Sequence, residues 1–130
     1  MWLLAILVGS GAELNAAADG ILGLWSNSNG TVLVDVSRCG PAICGKVVRA
    51  SASSEADARR AGAPQMVGTQ VLRDFQPRRS GSWSGKVFVP ARNRTFHSML
   101  TRLDDRRIRI DACILGGLVC QGEVWKRPSQ

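Results

Sequence analysis

Tyrosine is absent from the 130-residue chain, histidine occurs once, at His97, and aromatic residues make up only 5%. Each shortage excludes something. A mononuclear metal site or a Ser-His-Asp triad would have to be built around His97 alone. No Gly-x-Ser-x-Gly elbow, phosphate-binding glycine loop or cluster of metal ligands occurs in the sequence. Scarce aromatics argue against nucleic acid as the partner, because single strands are held on stacking platforms. No cofactor or metal is implied. The apolar run Met1 to Val8 is too short to span a bilayer. The length is that of one domain and too small for two cores.

What is present begins with that run. Ala16-Ala17-Ala18 follows it and supplies the small residues a signal peptidase accepts. The sequence therefore predicts a signal peptide over residues 1–18, cleaved before Asp19, and one exported domain over 19–130, periplasmic or secreted. The leader has no Lys or Arg ahead of its apolar run: either the true start lies a few residues upstream, or the amine of Met1 supplies the only positive charge. A retained anchor or an N-terminal core helix is the competing reading.

Export changes the meaning of four cysteines, because disulfides persist in oxidising compartments. Cys39 and Cys44 bracket Gly-Pro-Ala-Ile, and Cys113 and Cys120 bracket Ile-Leu-Gly-Gly-Leu-Val. Both pairs sit where a hairpin would join two strands, and residues facing across a hairpin have the separation a disulfide needs. Local pairing is expected, although four cysteines allow three connectivities and loop-closure energy does not choose among them. A four-cysteine zinc site is disfavoured by the missing Cys-x2-Cys knuckle.

Lys and Arg outnumber Asp and Glu by 17 to 10, a formal net charge of +7. Outside the cytosol, such a surface suits anionic lipid headgroups or acidic polysaccharide. The plainer reading is that Arg59, Arg60, Arg78, Arg79, Arg106 and Arg107 are solvated loop ends.

Between turn clusters, short alternating apolar runs recur, with no long helical period. Strands are expected at 21–26, 31–37, 46–50, 67–75, 83–89, 95–102, 107–113 and 120–127. Asn27-Ser28-Asn29-Gly30 makes the first turn. Ser51 to Ala63 has little to bury and reads as a loop or one short helical turn. In the seventh strand Ile108, Ile110 and Ala112 face inward, and Arg107, Arg109 and Asp111 face solvent. About eight strands with short connections predict an all-β, antiparallel up-and-down barrel, whose closure removes exposed edges.

Gly23-Leu24-Trp25 in the first strand and Trp125-Lys126-Arg127 in the last resemble the calycin superfamily. The resemblance implies that the Gly-x-Trp tryptophan closes the barrel floor and a late basic residue packs over it. The physical reason is that a large indole plugs an open barrel end, and an Arg stacked on its face gains a cation–π contact. Between these two segments stand Cys39-Gly40-Pro41-Ala42-Ile43-Cys44-Gly45-Lys46-Val47-Val48, Trp83-Ser84-Gly85-Lys86-Val87-Phe88-Val89-Pro90 and Cys113 to Cys120. In that order they resemble the bacterial domain-of-unknown-function family 2147. The resemblance implies an exported, small, lipocalin-like barrel and supplies no catalytic residue. Ser51 to Ala63 replaces an Asp/Asn-Pro-rich stretch of that family, and Phe88 and Phe96 stand where Tyr is usual, keeping the ring and losing the hydroxyl.

The chemistry-bearing residues are few. His97 shares a face with Met99 and opposes Phe96 and Leu100, which puts it on the outside. Asp104-Asp105 reads as a hairpin turn, where Asp is favoured for backbone reasons. Glu123 shares a strand face with Gln121 and Trp125, so it enters the barrel with Trp125, where a buried carboxylate needs a partner that one of the many arginines could supply. A bulge at Gly122 would turn it outward instead.

The leading expectation is a non-catalytic exported barrel binding a small amphipathic or anionic ligand, or an envelope component, in its mouth. Trp25 and Arg127 would form the floor, and Trp83 with the Ser51 to Ala63 segment would border the mouth. Trp25, Trp83, Glu123 and Arg127 are the candidate ligand residues. A structural or interaction protein of the envelope, using basic loop ends on anionic lipid or polysaccharide, is the alternative. An envelope lyase or hydrolase using Glu123 or His97 is the third.

Overall fold

Strands form here where apolar side chains recur at every second position, as Val34 and Val36 or Ile108 and Ile110 do, and turn residues end each run. The computed structural model describes residues 18–79 and 81–129. Its strands are β1 (Gly23–Ser26), β2 (Val32–Cys39), β3 (Ala42–Ala50), β4 (Gln70–Pro77), β5 (Ser82–Val89), β6 (Arg94–Asp104), β7 (Arg107–Ile114) and β8 (Val119–Lys126). Each pairs antiparallel with its neighbour in sequence, and Ser26 opposite Lys126 closes β1 onto β8. The eight-stranded barrel matches expectation, with strand ends shifted by a few residues. The expected leader lies outside the described residues except for Ala18, which is buried in the core with Ile21.

Alternating strand direction gives the barrel two unlike ends. The turns β2–β3, β4–β5 and β6–β7 gather at one end with Gly20 and Arg127; this is the floor. The connections β1–β2, β3–β4, β5–β6 and β7–β8 gather at the other, the mouth. Trp25, Trp83, Phe75, Leu72, Leu100 and Ile108, each no more than 2% exposed, fill the interior from the floor upward. Burying a side chain of this size stabilises by about 1.5–3 kcal/mol, so this layer dominates the fold's stability. Phe75 enters it through a bulge in β4, where Asp74 takes φ 53°. Gly85 opposite makes room, since a Cβ there would lie 2.7 Å from the Arg73 carbonyl oxygen and 2.8 Å from Phe75.

The β3–β4 connection corrects the expectation of a loop or a single turn over Ser51 to Ala63. It holds a nine-residue helix, α1 (Ala52–Arg60). The Ser51 hydroxyl accepts from the Ser54 backbone N–H at 3.1 Å and caps the first turn. Glu55 near its start and Arg59 and Arg60 at its end complement the helix dipole. Ala58, fully buried, is the residue by which α1 packs into the core. A helix with so narrow an apolar face carries almost no hydrophobic period, which hid it in the sequence.

Both expected disulfides form. Cys39–Cys44 pins the β2–β3 turn at the floor, and Cys113–Cys120 joins directly paired residues of β7 and β8 at the mouth.

Candidate functional site

The floor closes as the sequence suggests. The Arg127 guanidinium lies 3.9 Å above the Trp25 ring and donates to the carbonyl oxygens of Leu24 at 3.1 Å and Gly20 at 3.2 Å. The Trp25 indole N–H donates to the Ile21 carbonyl at 2.9 Å. Gly23 bends the chain into this arrangement with φ 103°, a conformation side chains resist, and a Cβ there would stand 3.2 Å from the Arg127 guanidinium. Partial burial, then the charges of Arg106 and Arg102, hold the Arg127 pKa below its usual value. Trp25 and Arg127 therefore plug the barrel and lie below its open space.

Trp83 stands with them. It follows the β4–β5 turn, is 2% exposed and pairs with Leu100 and Pro77, so it belongs to the floor layer and not, as expected, to the mouth.

Above this layer the barrel is hollow. A cavity of about 270 Å³ lies under α1 and is walled by Val34, Val71, Val87, Phe88 and Trp125, with Met66 over it. Polar groups reach it from Asn27, Thr31, Ser54, Asp57 and Glu123. It adjoins a rim cavity of about 620 Å³ lined by Arg92, Phe96, Ile114, Val119 and Gln121, and Val89 and Glu123 border both. Where the resemblance leads one to expect tyrosines, Phe88 lines the inner cavity and Phe96 the rim cavity without a hydroxyl, and each ring carries a guanidinium over it, Arg73 at 4.7 Å and Arg94 at 5.6 Å.

Glu123 is the pivot. Pairing of β7 with β8 runs without a bulge from Ile108 opposite Trp125 to Asp111 opposite Gly122, so Glu123 keeps the inward parity of Trp125. One carboxylate oxygen accepts from the Ser28 hydroxyl at 2.6 Å, and the other accepts from the Trp125 indole N–H at 2.9 Å. The expected arginine partner is replaced by these two neutral donors. Among the described residues no cation lies within ion-pair distance of it. The β1–β2 turn holds Ser28 in place: the Asn27 side-chain oxygen accepts from the backbone of Thr31 at 2.8 Å and Val32 at 2.9 Å, and Gly30 takes φ 71°.

Of the four candidate ligand residues, Glu123 lines the mouth cavities, whereas Arg127 lines a separate floor space of about 580 Å³ with Leu24, Asp105, Arg106 and Pro128. Trp125, Met66, Ser28 and Asp57 join Glu123 at the mouth. Trp125 and Glu123 share a strand face already visible as i, i+2 alternation; Met66 and Asp57 depend on α1 and had no legible signal.

His97 is exposed on the outer face, over a groove of about 510 Å³ that also touches Asp74, Arg78 and Lys86. Asp104 ends β6, and its carboxylate accepts from the Arg106 backbone and the Arg107 side chain, each at 2.9 Å, as a turn aspartate does. Those two bonds lower its pKa. Among the described residues no three His, Cys, Asp or Glu side chains cluster as a metal site would require, and no helix is long and apolar enough to cross a membrane.

Protein HP1028 from the human pathogen Helicobacter pylori, described as belonging to the lipocalin family, is similar in structure. The TM-score is 0.65 at 12% identity over 85% of this chain and 84% of that one, a likeness of fold. No curated protein matches the chain in sequence. A family profile does match, across residues 23–127, from the floor glycine of β1 to the arginine that stacks on Trp25. The chain belongs to the bacterial family described as "Uncharacterized protein conserved in bacteria (DUF2147)".

Proposed function

We propose that this protein is an exported, non-catalytic, lipocalin-like carrier or receptor for a small amphipathic molecule, whose apolar body enters the mouth cavity and whose polar end meets Glu123. Two disulfides and the N-terminal apolar run support export. The observation that carries the reading is an inward carboxylate with no counter-cation at the boundary of an apolar space. Ligand sites are apolar cavities with a few convergent polar groups, and this one has that composition.

The same carboxylate narrows the ligand. An anion about 4 Å from ionised Glu123 would be repelled by about 1 kcal/mol in a water-like setting and about 4 kcal/mol near a protein surface. A cationic or hydrogen-bond-donating end gains over the same range. The basic surface leaves this in place at the inner cavity, whose lining includes no Lys or Arg, although Arg92 shares the rim cavity with Glu123.

Native mass spectrometry of protein taken from its exported compartment tests whether a ligand is carried and gives its mass. Titration with a long-chain amine and a carboxylate of equal chain length, followed through the intrinsic tryptophan fluorescence, tests its class. The amine should bind at least about fivefold tighter, and Glu123→Gln should remove the difference. Tighter binding of the carboxylate, or a Glu123→Gln protein with unchanged preference, refutes the assignment.

A further inference from the structure

The connection between β7 and β8, Ile114-Leu115-Gly116-Gly117-Leu118-Val119, contains no charged or hydrogen-bonding side chain. Ile114 is 47% exposed, Leu115 68%, Leu118 86% and Val119 49%. One exposed leucine needs no explanation, but four large aliphatic residues on one six-residue tip form a patch of the kind that marks an interaction surface. The chain holds the tip in this shape. Leu115 takes φ 54° and Gly116 φ 66°, a left-handed pair in which leucine is rare, and Cys113–Cys120 ties the base of the hairpin. The disulfide restricts the ways Leu115 and Leu118 could fold back over the barrel.

The charge around the tip identifies its partner. Arg92 lines the rim cavity together with Ile114 and Val119, and Arg94, on the neighbouring strand end, lies over Phe96 at 5.6 Å. On the far side of the mouth α1 ends in Arg59 and Arg60, beside the β5–β6 turn, where Gly62 approaches Asn93. The acidic groups of this end are engaged: Asp57 pairs with Arg60, Glu55 accepts from the Met66 backbone, and Glu123 points inward. An apolar tip flanked by Arg92 and Arg94, with Arg59 across the mouth, is the composition of a segment that lies in a membrane interface and is attracted by anionic headgroups. Acidic polysaccharide would use the arginines and leave the leucines in water. A second copy docking tip to tip would bring the same arginines face to face.

We propose that the β7–β8 tip inserts Leu115 and Leu118 into the surface of an anionic phospholipid bilayer while Arg92 and Arg94 engage its headgroups. Docked in this way, the rim cavity opens onto the lipid, since Ile114 and Val119 belong to both the tip and the cavity wall. The barrel then exchanges its occupant with the membrane rather than with bulk water. The docking itself does not depend on what the cavity holds.

Flotation of the oxidised protein with vesicles of phosphatidylcholine and phosphatidylglycerol in equal parts, against phosphatidylcholine alone, tests this at about 0.15 M salt. Binding should favour the anionic vesicles. The double variant Leu115→Ser, Leu118→Ser should lower it by about tenfold or more with an unchanged melting temperature, because both side chains are already in solvent. Arg92→Ser should weaken binding to anionic vesicles only. Failure of the parent protein to float with anionic vesicles overturns the proposal. So does a leucine variant that binds like the parent, which would leave a purely ionic contact. Sedimentation velocity closes the third route: a dimer that the leucine substitutions abolish would assign the tip to self-association instead.

Discussion

Replacing Arg127 by Met removes the guanidinium and keeps an apolar stem over Trp25. The structure lets the loss be built up. The cation–π contact, at 3.9 Å from the ring, contributes about 1 kcal/mol. The two hydrogen bonds to the carbonyls of Leu24 and Gly20 involve a charged donor, but the group is only partly buried, so about 1 kcal/mol each is appropriate. Partial burial, then the charges of Arg106 and Arg102, oppose the ionised guanidinium, so the sum of these contacts is the upper bound of the loss. The net expectation is a loss of about 2–3 kcal/mol. For a domain of this length that is a fall of about 8–12 °C in melting temperature. Arg127→Lys keeps a charge over the ring but cannot span both carbonyls, so it should lose about half as much. Thermal unfolding by circular dichroism, with urea midpoints at constant m value, measures both. Because the guanidinium stays ionised, the deficit should be flat between about pH 5 and pH 9. An Arg127→Met protein within about 0.5 kcal/mol of the parent would refute the view that this arginine closes the floor.

Gly85→Ala should cost about 1–3 kcal/mol in urea unfolding, because its new methyl group meets the β4 backbone beneath Phe75; a neutral result would show that the bulge yields. Replacing Cys113 and Cys120 together by Ser should lower stability by about 2–2.5 kcal/mol, the loop-closure value for so short a span, and leave Cys39–Cys44 intact by mass. Asp104 gives a pH prediction: its folded pKa lies below the ordinary 3.8, chiefly through the Arg106 backbone bond and then Arg107. Its contribution is therefore present above pH 3.8 and lost as pH falls through the lower folded value, so Asp104→Asn should flatten the stability curve in that acid window and leave it unchanged in slope near neutrality. An unaltered acid slope would remove Asp104 from the account.

The strands were legible because the period-2 pattern is also the burial pattern. Val34 and Val36, and Ile108 and Ile110, are alternating in sequence and buried in the barrel. Glu123 was half legible: its parity with Trp125 is written in the spacing, but a single bulged residue at Gly122 would reverse it, and local sequence does not show whether neighbouring strands stay in register. Trp83 was misplaced for a different reason. Its position directly after an even-numbered strand's turn puts it at the end shared with the termini, a signal available from counting strand directions but not from the residue itself. The helix α1 was the least visible. One buried alanine, Ala58, anchors it, and its start rests on Ser51 capping Ser54, a local bond that composition does not report.

The two ends of the barrel use their polar groups differently, and the proposed ligand site lies at the mouth. At the floor, the Trp25 indole N–H and two of the Arg127 N–H groups bond carbonyl oxygens of the same chain, and Trp25, Trp83 and Phe75 are buried. At the mouth, Glu123 meets only neutral donors, two cavities adjoin, and four aliphatic side chains stand in water. Groups left with spare bonding capacity on a rigid scaffold are where an external molecule can gain most, since the scaffold has already fixed their geometry. Floor and mouth substitutions should therefore separate experimentally. Arg127→Met should lower the melting temperature and leave amine affinity below the transition unchanged, and Glu123→Gln should do the reverse. A floor variant that alters affinity while still folded would mean that the packed layer reaches into the ligand cavity, and the boundary drawn at Trp125 would have to move down.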